Sequence, residues 1–261
     1  MPRLFIFFHG LSNLKTLKSL LFTLVFCLSC TTYAVYSEEI VSDPRILKSV
    51  VQLGNNEFNC TGFLIDRYSI VTAAHCVEDE DGKKNPSAIF KFGKKGDIIE
   101  NALPIGFAMS SNTKSLGEDI ALVFPYSPDG SSKFQDIVPF EIEKPELITA
   151  QDEICVVGIG DSAFIKGAQP LKIRCGLRVG VADGGVMFID DPKELNQING
   201  PGDSGGPVLK KLSDGQYKVI GIISMGPKEG IVSPFGLGTK ATNLTIGPAK
   251  DWLNKNGFPL K

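Results

Sequence analysis

From Ile46 onward the chain is a succession of short apolar and β-branched runs separated by Gly, Pro, Asn and Asp, with no amphipathic helix of domain-building length between them. Such runs include Val50-Val51-Gln52-Leu53, Phe63-Leu64-Ile65, Ser69-Ile70-Val71, Ala88-Ile89-Phe90-Lys91-Phe92 and Ile120-Ala121-Leu122-Val123. Later ones are Ile154-Cys155-Val156-Val157, Leu171-Lys172-Ile173-Arg174-Cys175, Lys218-Val219-Ile220-Gly221-Ile222-Ile223 and Leu237-Gly238-Thr239-Lys240-Ala241. Close spacing of short strands between turn residues predicts an all-β sandwich or barrel. One helical signal is terminal: Pro248 suits a first turn, Trp252 and Leu253 can pack inward, and Gly257 and Pro259 stop the helix.

Between Phe124 and Leu147 the composition turns to Pro, Ser, Asp and Glu, with Pro125, Pro128, Pro139 and Pro145. This reads as a surface connection between two β units, one over residues 40–135 and one over 136–261; the alternative is one large β domain with a long loop. At 261 residues, 43% hydrophobic and 21% charged, the chain can bury one or two ordinary cores. A net charge of -2 supplies no basic surface for a phosphate backbone, so no nucleic-acid partner is expected.

The first stretch carries Arg3, Lys15 and Lys18, then the apolar run from Leu20 to Leu28, then small residues ending at Ala34. This is the layout of a cleavable signal peptide over residues 1–34. The apolar run is shorter than the roughly 20 residues a helix needs to cross a bilayer, so no stable membrane span is expected in the mature form. Lipid attachment at Cys30 is a weaker alternative, because Cys27 stands where that signal needs leucine. Each reading predicts export, to a secreted or periplasmic location. Processing leaves Cys60, Cys76, Cys155 and Cys175, an even number in an oxidising compartment, for which disulfides are the default and three pairings are open. After removal of residues 1–34 no Cys-x-x-Cys or histidine pair is left, so no metal is expected, and Glu78-Asp79-Glu80-Asp81 reads as a solvated acidic loop.

Of the two histidines, His9 falls in the leader, so imidazole chemistry after processing must use His75, in Thr72-Ala73-Ala74-His75-Cys76. A serine hydroxyl is a poor nucleophile at neutral pH and needs a base to take its proton and a carboxylate to orient that base. Ser204 in Gly202-Asp203-Ser204-Gly205-Gly206-Pro207 is the candidate nucleophile and His75 the base. Asp119, which opens the apolar run 120–123, is the candidate carboxylate, with Glu118 as neighbouring competitor. The glycines permit a tight turn that aims backbone N–H groups at an oxyanion, with Gly202 and Ser204 as the predicted donors. Asp203 is expected to face inward and to need a cationic or hydrogen-bonding partner.

Three decoys are set aside. Gly-x-Ser-x-Gly also marks the nucleophile elbow of α/β-hydrolases, but there the histidine follows the serine, and no histidine follows Ser204. Gly160-Asp161-Ser162 lacks the following glycines and reads as a turn. Lys210, Lys211 and Lys218 could suggest a Ser-Lys dyad but are expected to be exposed strand-end charges.

Through the His75, Asp119 and Ser204 motifs together, in that order, the sequence resembles the trypsin-like (chymotrypsin-fold) serine peptidases over roughly residues 40 to 257. Supporting matches are Cys60-Thr61-Gly62-Phe63, Val156-Val157-Gly158-Ile159-Gly160, Gly221-Ile222-Ile223-Ser224-Met225-Gly226 and Asp251-Trp252-Leu253. The resemblance implies two six-stranded antiparallel β-barrels with a C-terminal α-helix and a cleft site, His75 and Asp119 coming from the first barrel and Ser204 from the second. It implies a disulfide between Cys60 and Cys76, which leaves Cys155 with Cys175. It implies endopeptidase activity on peptide or protein substrates without a cofactor, with protein inhibitors as further partners.

By the same resemblance Ile198 takes the base of the primary specificity pocket, where trypsins carry aspartate, so an apolar rather than basic preference is expected. Gly226 and Gly236 match the pocket walls, and Ser224 and Met225 the edge that pairs with substrate backbone. Gly200 replaces a cysteine usual in relatives, so the disulfide that staples the pocket walls is absent. Many relatives insert a freshly cut amino terminus beside the aspartate preceding the serine, here Asp203; Ile40 is the favoured candidate terminus and Ile46 the alternative. The rival function is a catalytically inactive protease-like binding protein.

Overall fold

The computed structural model describes residues 39–54, 59–77, 88–92, 98–109, 117–126, 138–144, 148–149, 151–160, 170–182, 185–191, 199–225 and 239–258. The expected signal peptide, the boundary near residue 135 and the acidic run 78–81 lie outside these residues.

Twelve strands run through the described residues in chain order. The first six are β1 (Val50–Gly54), β2 (Asn59–Leu64), β3 (Ile70–Thr72), β4 (Ala88–Phe92), β5 (Ile98–Met109) and β6 (Ala121–Tyr126). The other six are β7 (Glu153–Gly158), β8 (Lys172–Ala182), β9 (Val186–Asp190), β10 (Pro207–Lys211), β11 (Tyr217–Met225) and β12 (Thr239–Asn243). They close into two antiparallel barrels, ordered β1-β2-β3-β6-β5-β4 and β10-β11-β12-β9-β8-β7. Closure leaves neither sheet with a free edge.

The strand periodicity explains how two cores share one wall. On β7, Ile154 and Val156 point into the core of the second barrel, while Cys155 and Val157 join a larger core that fills the first barrel and the seam between the two. Successive side chains on a strand face opposite sides, so a strand buried on both faces must be apolar throughout, and Ile154-Cys155-Val156-Val157 is. β11 is likewise buried on both sides, with Ile220 and Ile223 on one and Val219 and Ile222 on the other; same-side residues stand three apart because its pairing with β10 shifts register between Val219 and Gly221.

The segment 138–144 stitches the barrels together. Phe140 N–H donates to Leu64 O at 3.1 Å, and its ring meets Phe63 edge-on, centroids 6.2 Å apart. Two residues on, Ile142 bridges Val219, with Val219 N–H on Glu141 O and Glu143 N–H on Val219 O, each at 2.8 Å. An edge-to-face aromatic pair contributes about 0.5–1.5 kcal/mol beyond its buried area, enough to help fix the seam.

Two helices flank the barrels. The terminal one, α2 (Gly247–Lys255), has Pro248 in its first turn and buries Leu253. A short α1 (Pro44–Ser49), not legible as a helix in the sequence, is capped by Asp43 and buries Ile46 and Leu47. Ahead of it, Glu39 to Val41 pair with the start of β8 through Val41 N–H on Leu171 O at 2.9 Å and Ile173 N–H on Glu39 O at 3.2 Å. No helix among the described residues is long and apolar enough to cross a membrane.

Candidate active site

His75 sits in a 3-10 turn, Ala74–Cys76, that follows β3. That turn is pinned by the disulfide Cys60–Cys76, which ties it back to β2. Asp119 lies just ahead of β6, after the turn at Gly117-Glu118, and Ser204 just ahead of β10. Each candidate thus stands where the chain enters or leaves a strand at the seam.

Asp119 is almost wholly buried and turned toward His75. Its Oδ1 accepts the His75 backbone N–H at 3.0 Å, and its Oδ2 faces His75 Nδ1 at 2.8 Å. A carboxylate accepts, which places a proton on Nδ1, and in a neutral ring Nε2 then presents a lone pair. The His75 side chain is 37% exposed against 4% for that of Asp119, so the ring remains open to a substrate while its partner is shielded from water. Glu118, the competitor, is half-buried, and its backbone carbonyl accepts the Ile120 N–H at 2.8 Å.

The second barrel completes the cradle of Asp119. Ser224, near the end of β11, donates its hydroxyl to Asp119 Oδ2, and Thr242 on β12 donates to Asp119 O at 3.4 Å. Ser224 is buried at 4% exposure, so its side chain serves the carboxylate, a contact the sequence reading did not anticipate. Met225 pairs with Lys240 across β11 and β12.

The Ser204 loop is held from both barrels. Thr61 on β2 donates its backbone N–H to Ser204 O at 2.8 Å and its hydroxyl to Gly202 O at 2.8 Å, and the Ser204 carbonyl lies 3.6 Å from Cys76 Sγ. Asp203 is fully buried as expected; its Oδ1 accepts from Gly160 N–H at 2.7 Å and its Oδ2 from Gly200 N–H at 2.8 Å. Gly160, just past β7 at φ +68, turns its amide to this buried carboxylate, while Asp161 and Ser162, the rest of the expected turn, lie outside the described residues. Gly202 adopts φ +105 and Gly205 φ +83, a region open to glycine. The N–H groups of Asp203, Gly205 and Gly206 bind Gly200 O, Ile223 O and Asp203 O. Those of Gly202 and Ser204 enter no backbone bond among the described residues. The Ser204 hydroxyl, too, is in none of the hydrogen bonds that join side chains of the site, which run between His75, Asp119 and Ser224.

Ile198, Gly226 and Gly236 lie outside the described residues. Beside them in sequence, Asn199 is buried and accepts the Thr239 hydroxyl at its Oδ1. Both expected disulfides form, Cys60–Cys76 and Cys155–Cys175. Glu153, Cys155 and Cys175 cluster within 4.8 Å, but both sulfurs belong to the disulfide, which leaves a metal one carboxylate. One expectation is corrected: Lys210 is not an exposed strand-end charge. It lies within β10, only 11% exposed, with Nζ 3.1 Å from Asp152 and 3.8 Å from Glu143, so it is held away from any dyad with Ser204.

Comparison with known proteins agrees with this architecture. The chain is 22% identical over 242 residues to Serine protease 7 of Drosophila melanogaster, an alignment covering 80% of this chain and 60% of that protein. The chain thus spans less than two thirds of that relative's length. Its fold is similar to that in the solved "Structure of Glu endopeptidase in complex with MPD", with a TM-score of 0.63 at 16% identity, over 84% of this chain and 95% of that one. Residues 45–247 match the family described as Trypsin, a span that takes in all twelve strands together with His75, Asp119 and Ser204, and the chain belongs to the trypsin family of serine proteases.

Proposed function

We propose that the protein is an exported serine endopeptidase that hydrolyses peptide bonds through an acyl-enzyme on Ser204. The observation that carries this reading is the His75–Asp119 pair: a buried carboxylate holds a half-open imidazole in the tautomer whose Nε2 can accept a proton. His75 Nε2 takes the Ser204 hydroxyl proton as Oγ attacks the substrate carbonyl carbon. The carbonyl π electrons move onto oxygen, and the oxyanion is met by the N–H groups of Gly202 and Ser204. Collapse breaks the C–N bond, and the imidazolium returns its proton to the departing amine. Water, deprotonated by the same imidazole, then releases the acid and restores Ser204.

Catalytic hydrogen bonds in unliganded proteases are commonly long and tighten on substrate binding, so the Ser204 hydroxyl is expected to turn to Nε2 once a carbonyl occupies the cleft. Ile198, which by the family resemblance takes the base of the specificity pocket, carries no charge to pair with Lys or Arg, which favours an apolar side chain before the cut bond. Two disulfides suit an oxidising destination and the leader-like segment 1–34 an export route.

The test is labelling with a fluorophosphonate probe. Wild-type protein should be modified at Ser204 with one-to-one stoichiometry, and Ser204→Ala and His75→Ala should not be. A correctly disulfide-bonded wild type that neither labels nor cleaves a mixed peptide library would instead make the chain a binding protein on a protease fold. In an active preparation, strong selection for Lys or Arg would overturn the apolar preference.

A further inference from the structure

Thr61 is a fully buried residue of β2 in the first barrel, yet its bonds reach into the loop of the second barrel that carries Ser204. Its hydroxyl donates to Gly202 O and its N–H to Ser204 O, both at 2.8 Å. These carbonyls flank the Asp203–Ser204 peptide, the unit that carries the Ser204 N–H, and one belongs to Gly202 itself. Thr61 is held in turn, since its own carbonyl accepts the Thr72 hydroxyl at 2.8 Å from β3. Asp203, between the two gripped carbonyls, is anchored from the other side by Gly160 and Gly200.

We propose that Thr61 is a positioning residue for the oxyanion site: its side-chain hydroxyl, acting on the Gly202 carbonyl, sets the direction of the Gly202 and Ser204 N–H groups. The inference rests on the peptidase reading above. A glycine at φ +105 has no side chain to restrict its rotation, so the orientation of Gly202 depends on what its neighbouring peptide groups bind. The backbone bond from Thr61 to Ser204 survives any substitution at residue 61 except proline. The hydroxyl bond does not, and it alone reaches Gly202. Oxyanion donors act through alignment fixed before the reaction, so loosening one lowers the rate of the chemical step more than substrate binding.

The experiment compares wild type with Thr61→Val, which keeps the shape and removes the hydroxyl, and Thr61→Ser, which keeps the hydroxyl. Each is acylated by p-nitrophenyl acetate, a probe that makes no demand on the specificity pocket, with rates normalised to sites titrated by the fluorophosphonate. Removal of a whole oxyanion donor costs about 100- to 1,000-fold, and misalignment should cost on the order of 10- to 100-fold in the acylation rate constant. Binding of the ester should stay within about twofold, and Thr61→Ser should recover most of the rate. Thr61→Ala serves the same purpose should the valine variant fail to fold. A purely structural role predicts fewer titratable sites with an unchanged rate per site; that result, or a serine variant as slow as the valine, overturns the proposal. An inert wild type would instead overturn the peptidase reading, and this inference with it.

Discussion

Asp119 meets His75 twice, with one carboxylate oxygen on the backbone N–H at 3.0 Å and the other at the ring Nδ1 at 2.8 Å. The first contact fixes where the 3-10 turn sits, and the second fixes which tautomer the ring adopts. Because the two oxygens do different work, a change that keeps the shape but alters the charge separates them.

Asp119→Asn can still accept the His75 backbone N–H, but if its amide donates toward Nδ1 it selects the wrong tautomer. In Ser-His-Asp triads this change costs about 10⁴ in kcat with little structural effect. The same loss is expected here, with thermal stability nearly unchanged. Glu118→Gln should keep near-wild-type kcat, since the contacts to His75 come from Asp119 and the Glu118 carbonyl binds only the Ile120 N–H among the described residues. Steady-state kinetics on a cleaved peptide decide between the two carboxylates, and a large loss in the Glu118 variant would reverse their roles.

Gly205 combines a glycine-type φ with a close approach of neighbouring backbone. It adopts φ +83, and a Cβ there would run into Thr61 O and Thr72 Oγ1, the first of them immovable backbone. Gly215 adopts a similar φ of +78 in a turn with nothing within 4 Å of a built Cβ. Gly215→Ala should therefore cost only the backbone strain, about 1 kcal/mol. Gly205→Ala should cost at least about 2 kcal/mol more, because overpacking adds to the same strain. Urea denaturation midpoints give the comparison, and equal losses would mean that the loop yields easily to the added methyl.

Much of this architecture was legible because strands buried on both faces must be apolar throughout, as Val219 to Ile223 and Ile154 to Val157 are. β5 was not, since Asn101, Pro104 and Gly106 break any alternation. Its pairing with β6 shifts register between Pro104 and Gly106, where a residue without an N–H is best accommodated. β10 was hidden for a similar reason: it opens on Pro207 and ends on two lysines, one of them buried by ion pairs with Asp152 and Glu143. His75, Asp119 and Ser204 stand in short motifs, which is why the sequence alone makes them candidates. The Ser224 hydroxyl on Asp119 and the Thr61 hydroxyl on Gly202 could not, because both depend on how one barrel is set against the other.

The two disulfides close loops of similar length, with sequence separations of 16 and 20, so the chain-entropy argument gives each about 3 kcal/mol. They differ in what they hold. Cys76 adjoins His75 and lies 3.6 Å from the Ser204 carbonyl, whereas Cys155–Cys175 joins β7 to β8 away from the site. Replacing either pair by alanine should lower stability comparably, by about 2–4 kcal/mol. Only loss of Cys60–Cys76 should lower kcat per titrated site. Equal kinetic damage from both would show that the bond near His75 has no local role.

Asp43 caps α1 with Oδ1 on the Arg45 N–H at 2.8 Å, and the Arg45 Nη2 meets its Oδ2 at 2.7 Å. The hydrogen-bonded Arg45 guanidinium holds the Asp43 carboxyl below the usual carboxylate range, against a smaller upward push from burial. A carboxylate with a depressed folded-state pKa contributes stability that is complete above its unfolded pKa, about 3.9, and is lost as pH falls through the folded value. Asn caps a helix about as well as Asp, so Asp43→Asn removes the charge and keeps the cap. The Arg45 side chain is 43% exposed, so screening holds the expected loss at pH 7 to no more than about 1 kcal/mol. The gap between wild type and variant should close as pH drops below 4 and shrink with added salt at pH 7. Melting temperatures from pH 7 down to 3 report it, and a gap independent of pH would mean that the carboxylate acts as a cap alone.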